Sequence, residues 1–283
     1  MVGMKEKASD EVTVGDIIAL MESLAPTYLA EEWDNCGLQV GSRLWSVQRV
    51  WIALDPLPSV IHMAVHRKID LIITHHPLLF HPLRSIDLQT PIGQTIETAL
   101  AARLALYAAH TNLDSTRQGV NDILGRMIGL HHMTALVPAE KRVSETDPDG
   151  PLGMGRVGRL PEPLTLKALA ARIKTRLHLN VIKVAGNPDL IVDQVAVCSG
   201  SGAGLMSSFL DGPAQVYVSG DLRYHDARTV EQLGRALIDV GHFPSEHLVL
   251  DPLAEQLRDM AQEHKWPVVI EACRLEHDPF VAF

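Results

Sequence analysis

The chain has 283 residues, is 46% hydrophobic and carries a formal net charge of -9, enough apolar content to bury one large or two modest α/β domains and an acidic balance that disfavours generic attraction to nucleic acid. No apolar stretch runs far without Asp, Arg or His, and residues 1–11 lack the apolar core of a signal peptide, so no membrane span and a cytoplasmic location are expected. Cys36, Cys198 and Cys273 are odd in number and form no C-x-x-C pair, which indicates neither a disulfide framework nor a thiolate zinc site and leaves nitrogen and oxygen as the donors for any metal.

Residues 13–30 place Ile17, Leu20, Met21 and Leu24 at helical spacing behind a capping Thr13. After a polar turn at Asp34 and Asn35 come a strand over 47–54, a helix over 59–68 and a short buried strand at 71–73. That order predicts a parallel sheet. A helix over 91–103, a strand over 104–109 and a helix over 120–128 complete a first α/β half, residues 1–130. The Pro-, Asp- and Gly-rich stretch 134–151 reads as a loop. A second half over 131–240 then gives strands at 155–160, 181–184, 194–198, 215–219 and 236–240, with helices at 164–177, 205–210 and 226–233. The C-terminal segment 241–283 holds a long helix over 244–263 and an edge strand over 267–272.

Three pieces far apart in the chain each follow an apolar strand-like run and carry metal-ligand side chains: Thr74-His75-His76-Pro77, His110-Thr111-Asn112-Leu113-Asp114 and Gly241-His242-Phe243-Pro244-Ser245-Glu246. Imidazole with carboxylate suits zinc, manganese, iron and similar divalent ions. Neighbouring strand residues point to opposite faces, so His75 and His76 are expected to serve different ions. Pro77 keeps His76 extended at the strand's carboxyl end, where α/β sheets bind ligands. Singly, each piece has a plainer explanation: Asp114 as a turn or cap residue, Glu246 as a helix-dipole partner. Their coincidence points instead to a dinuclear site. His131 and His132, at the end of a helix-like segment, are read as structural.

Two divalent ions bring four positive charges against the two negative charges of Asp114 and Glu246, and that excess favours a bound hydroxide and a small anionic substrate. Hydrolysis is the matching reaction class. His110, Glu246, His81 and His225 are the candidate proton carriers. The loop from Cys198 to Gly204 can be either an anion cradle or a tight strand-to-helix turn. The loop from Gly220 to Asp226 offers Arg223 and His225 to an anion, or merely a capping Asp226.

Together with Glu32-Trp33-Asp34-Asn35-Cys36-Gly37-Leu38-Gln39-Val40-Gly41, these motifs resemble the NIF-three-like dinuclear metal-centre family, whose members are often described as GTP cyclohydrolase I type II homologues. The resemblance covers nearly the whole chain. It implies two similar intertwined α/β/α halves with a metal cleft between them, and metal-ligand roles for His75, His76, Asp114, His242 and Glu246. It adds His110 as a further site residue, and implies a toroidal homohexamer of stacked trimers. The short 134–151 link resembles the compact form that lacks a middle domain, and Phe243 stands where relatives commonly have tyrosine. Two readings follow. The chain is a dinuclear metal-dependent hydrolase of a small anionic substrate, a nucleotide being the case the resemblance names; or it is a non-catalytic metal-binding protein acting in delivery, in regulation or as a scaffold.

Overall fold

A computed structural model describes residues 11–139 and 152–281. The expectations for residues 1–10 and for the 140–151 stretch of the link lie outside the described residues. In chain order the elements are α1 (Val14–Leu24), β1 (Gly37–Val40), β2 (Arg49–Ala53), α2 (Pro58–His66), β3 (Leu71–Thr74), α3 (Pro91–Ala101), β4 (Ala105–Ala108), α4 (Thr111–Ser115), α5 (Val120–Ile128), β5 (His131–Pro138), β6 (Gly153–Thr165), α6 (Leu166–Arg176), β7 (Lys183–Ala185), β8 (Ile191–Ser201), α7 (Met206–Asp211), β9 (Val216–Gly220), α8 (Tyr224–Gln232), β10 (Ala236–Asp239), α9 (His242–Glu246), α10 (Leu250–Glu263) and β11 (Val269–Ala272). The fold is α/β and falls into two compact units. Of the described residues, the first unit takes 11–27, Glu32–His110 and Leu250–Glu276, and the second takes the rest. The two are therefore interleaved along the chain.

In the first unit the sheet order is β1-β4-β3-β2-β11. β4, β3, β2 and β11 are parallel and β1 pairs antiparallel with β4. Every residue of β3 is buried, as a strand covered on both faces requires. Trp51, Ile72 and Leu106 pack with Val60, Ile61 and Ala64 of α2 and Ile96 and Ala99 of α3. The alternate residues Val50, Ile52, Ile73 and Tyr107 are equally buried, while α10 packs on β2 and β11 and touches α1. α1 starts where expected because Thr13 and Asp16 form a capping box.

The second unit has the order β5-β6-β8-β9-β10-β7, with β8, β9 and β10 parallel and the outer pairings antiparallel. Val195, Val197, Val216 and Val218 pack with Leu124 and Ile128 of α5 and Leu169 and Ile173 of α6. Cys198 and Tyr217 pack with Phe209 and Val230.

Several expectations change. Residues 134–138, read as loop, belong to strand β5, and His131 and His132 begin that strand rather than ending a helix; a left-handed Gly129 turns the chain sharply out of α5. The expected boundary at residue 130 falls inside the second unit, and of the segment 241–283 only Leu250–Glu276 joins the first. The single helix over 244–263 is broken into α9, a 3-10 turn at His247–Val249 and α10. Pro252 explains the restart, since a residue without an N–H fits a first helical turn and not an interior.

Candidate metal centre

β2, β3 and β4 are in register, Ala53 opposite Thr74 and Thr74 opposite Ala108, so the residues after them emerge at one edge. The ladder runs on past the strands: His75 and His76 donate their backbone N–H groups to the carbonyls of Ala53 and Leu54 at 3.1 and 2.9 Å. One ligand atom from each of His75, His76 and His110 lies within 4.8 Å of the others. The expected split of His75 and His76 to opposite faces does not occur, because regular strand ends at Thr74 and the two rings sit with centroids 5.1 Å apart.

Each imidazole is held through Nδ1. His76 donates to Asp55 Oδ1 at 2.7 Å, His110 to Asp34 Oδ1 at 2.9 Å and His75 to the carbonyl of Ala109 at 3.0 Å. Those oxygens can only accept, so the neutral ring carries its proton on Nδ1 and its lone pair on Nε2. This is the outer-shell arrangement of metal-ligating histidines. The holders are themselves held. The Asp34 side chain is 0% exposed and accepts from the Asn35 N–H at 2.7 Å and the Cys36 thiol at 3.0 Å. Glu276 accepts from the backbone N–H groups of Leu54 and Asp55 at 2.9 and 2.7 Å, fixing the turn that carries Asp55. Burial pushes the Glu276 carboxyl up, against the pull of those two bonds.

The second unit repeats the device at the ends of its own parallel strands. His242 opens α9 just after β10, and its Nδ1 donates to Asp221 Oδ2, just after β9, at 2.8 Å. Its Nε2 lies 3.0 Å from Glu246 Oε2, one turn along the same helix. A neutral ring whose proton is committed to Asp221 would present a lone pair to a carboxylate. That juxtaposition calls for a second proton or a cation. Bonds of about 2.0–2.2 Å to one ion place donors about 3 Å apart at a right angle, so the residues present fit a divalent metal.

The strand-to-turn segment at Ser199 and Gly200 shapes this site sterically. Gly200 has φ +60, and a Cβ there would fall 2.0 Å from Glu246 Oε1 and 3.3 Å from His242 Nε2. Its N–H donates to Ser245 Oγ at 2.9 Å, which in turn donates to the carbonyl of His242 at 2.7 Å. Ser199 Oγ donates to the buried Asp114 Oδ1 at 3.2 Å. Of the two readings of this loop, the tight turn is thus the one with a visible cause. Asp114 rides on α4, whose end is clamped by Arg156: this buried guanidinium donates to the carbonyls of Thr116, Gly153 and Gly155 at 2.7, 2.6 and 2.7 Å and to the carboxylate of Asp122. In the 220–226 loop, Asp226 caps α8 by accepting from the Arg223 N–H at 2.9 Å, while Arg223 and His225 are exposed.

The structure thus groups His75, His76 and His110 in one unit, and sets His242 against Glu246 in the other, where Asp114 adjoins the turn that Glu246 also touches. Sequence reasoning missed Asp55, Asp221 and Glu276 and took Asp34 for a turn residue. For Asp55 and Asp221 a signal existed, since each lies within two residues of the end of a predicted strand, as His75 does.

Residues 12–279 match the family model described as Duf34/NIF3 (NGG1p interacting factor 3). The chain is 34% identical over 274 residues to a GTP cyclohydrolase 1 type 2 homolog of Streptomyces coelicolor, covering 95% of this chain and 94% of that one. It is 34% identical over 233 residues to a protein of the same name from Clostridium acetobutylicum, covering 82% and 85%. It superposes on the crystal structure of a Bacillus cereus protein related to NIF3 with a TM-score of 0.88 and 28% identity, covering 97% of this chain and 100% of that one.

Proposed function

The chain belongs to the Duf34/NIF3 family, and from that premise we propose that it is a dinuclear metal-dependent hydrolase of a small anionic substrate, with a nucleotide the specific case. His75, His76, Asp114, His242 and Glu246 are the proposed ligands. The observation that carries the reading is the Nδ1 anchoring of four imidazoles, three by carboxylates and one by a carbonyl. A structural histidine needs no such partner on one nitrogen with another donor group facing the second.

Two divalent ions bound there would supply a lowered pKa for water and stabilisation of developing negative charge. The chain's own residues do the rest. Asp55, Asp34 and Asp221 orient the rings and raise their basicity. His110, with its proton held on Nδ1 by Asp34, is proposed to exchange a proton at Nε2 with the substrate, and Glu246 to share proton transfer. The names of the Streptomyces and Clostridium relatives support a nucleotide as the substrate. The toroidal homohexamer belongs to the same proposal and is checked by light scattering.

The test is elemental analysis of purified wild type beside Glu246→Ala, followed by screening the loaded protein against GTP, other nucleotides and phosphoesters. Two ions per subunit falling to one or none, with turnover of one substrate class, is expected. Unchanged metal content in the variant removes Glu246 from the ligand set. Tight metal binding with transfer to an apo-acceptor and no turnover replaces the hydrolase with a delivery protein. Among the described residues no helix is long and apolar enough to cross a membrane.

A further inference from the structure

Trp33 is 58% exposed and Phe80 43%, and both stand beside the imidazole cluster of the first unit, where neither ring has a role in holding donors. Their centroids lie 5.7 Å apart at an interplanar angle of 49°, and 6.0 and 6.3 Å from that of His110. The pair comes from two loops that are laced together. Asn35 Nδ2 donates to the carbonyl of Leu79 at 2.6 Å, the Leu79 N–H donates to Gln39 Oε1 at 3.2 Å, and Gln39 Nε2 donates back to the carbonyl of Asn35 at 2.8 Å. The same stretch supplies Asp34, which holds His110. One short segment therefore fixes both the imidazole and the aromatic surface next to it.

Such a corner has a definite preference. Two rings inclined at this angle let a flat ring stack on one face while touching the other at a tilt of 49°, and stacking is an arrangement aromatic groups favour. A saturated substrate gains no such stacking. Ligand sites characteristically combine aromatic walls with a few convergent polar groups, and His81, edge-on to Phe80 with centroids 4.9 Å apart, adds a polar tip at the rim.

We propose that Trp33 and Phe80 are the recognition wall of this centre and that its substrate is a planar heteroaromatic anion, stacked on one of the two rings with its reacting atom toward His110. The proposal rests on the metal-dependent reading above and narrows its substrate class. Stacking tolerates any flat ring, so the wall selects planarity and leaves ring identity to polar groups.

The test compares guanosine 5′-monophosphate with ribose 5-phosphate, which carries the same phosphate without the base. Both are titrated calorimetrically into metal-loaded wild type, Trp33→Leu, Phe80→Leu and Trp33→Phe, with metal content and subunit number measured alongside. Wild type is expected to prefer the nucleotide at least about tenfold, and each Leu variant to weaken it by about five- to a hundredfold. Ribose 5-phosphate should bind all four proteins alike, and Trp33→Phe should keep most of the preference. Equal binding of the two probes to wild type, or undiminished preference in both Leu variants, overturns the wall. Loss of metal in the Leu variants overturns it too, by making these rings structural, and a changed subunit number does so by assigning the face to another copy. A metal-free wild type that still prefers the nucleotide defeats the dinuclear reading and leaves the wall standing.

Discussion

Converting the three carboxylates that hold Nδ1 to amides, one at a time, is the sharpest perturbation the structure offers. Asp34→Asn, Asp55→Asn and Asp221→Asn each keep side-chain shape, remove a charge and allow the amide to donate to Nδ1, which would turn the ring's lone pair away from Nε2. Loss of such an outer-shell partner typically weakens metal binding ten- to a hundredfold, or about 1.4–2.7 kcal/mol. Burial sets how far each carboxylate is screened. The Asp34 side chain is 0% exposed, Asp55 34% and Asp221 49%, and solvent screening shrinks the more exposed contributions. Asp55→Asn, behind His76, should therefore weaken metal binding more than Asp221→Asn, behind His242, whereas Asp34→Asn, whose partner His110 is not a proposed ligand, should keep the metal and lower turnover. Competition against a chromophoric chelator gives the affinities, and melting in excess chelator shows that the apo folds are comparable. Wild-type affinity in both Asp55→Asn and Asp221→Asn, or the reverse ranking of the two, would refute the claim that these carboxylates set the donor atoms.

Gly200→Ala should lose metal from the His242 and Glu246 side, because its Cβ meets Glu246 Oε1. The left-handed backbone adds about 1–2 kcal/mol of strain, read in the melting temperature. Arg156→Met takes the buried guanidinium away from three carbonyls and from Asp122, which keeps only the Gln118 N–H at 2.8 Å and the exposed Arg126 at 3.6 Å, and should cost about 3–5 kcal/mol in urea unfolding; a loss below about 1 kcal/mol, the scale of a surface pair, would show the clamp to be idle. Burial pushes the Cys198 thiol from 9.0 up to about 12. A pKa raised on folding stabilises below the unfolded value, and that stability is lost as pH rises from about 9 through about 12. Cys198→Ala should therefore flatten the alkaline limb of a stability profile, only partly, because burial also raises the Tyr217 phenol beside it. Iodoacetamide at pH 8 should label half-buried Cys36 before Cys198.

What the sequence made legible was local. Thr13 announces α1, and the apolar run at β3 followed by His75-His76-Pro77 announces a buried strand delivering ligands at its carboxyl end. What it concealed was pairing across the chain. β1 reads Gly-Leu-Gln-Val with a glycine at φ +110, too short and mixed to signal a strand. β5 begins with two exposed polar rings, which suit an edge strand but imitate a loop. β11 joins β2 in parallel across more than two hundred residues, a connection no local pattern encodes, and it is this pairing that draws 250–276 into the first unit. The donors of the candidate site were visible because three remote pieces each set imidazole or carboxylate beyond an apolar run. Most of the groups orienting them were not, because an aspartate in a turn looks the same whether or not an imidazole folds onto it.

The donor types constrain the metal more tightly than the bare count does. Of the five proposed ligands, His75, His76 and His242 present imidazole nitrogen, and countercharge reaches His76 and His242 through their hydrogen bonds to Asp55 and Asp221. Magnesium and calcium demand oxygen and would find only the carboxylates of Asp114 and Glu246 beside three rings. Zinc, iron, manganese and cobalt accept mixed nitrogen and oxygen, with zinc above manganese in intrinsic affinity. Purified protein stripped with chelator should therefore be restored by zinc or iron at concentrations where magnesium has no effect on the melting temperature. Restoration by magnesium alone would mean that the carboxylates bind the ion and the imidazoles do not, and the anchoring of Nδ1 would need another explanation.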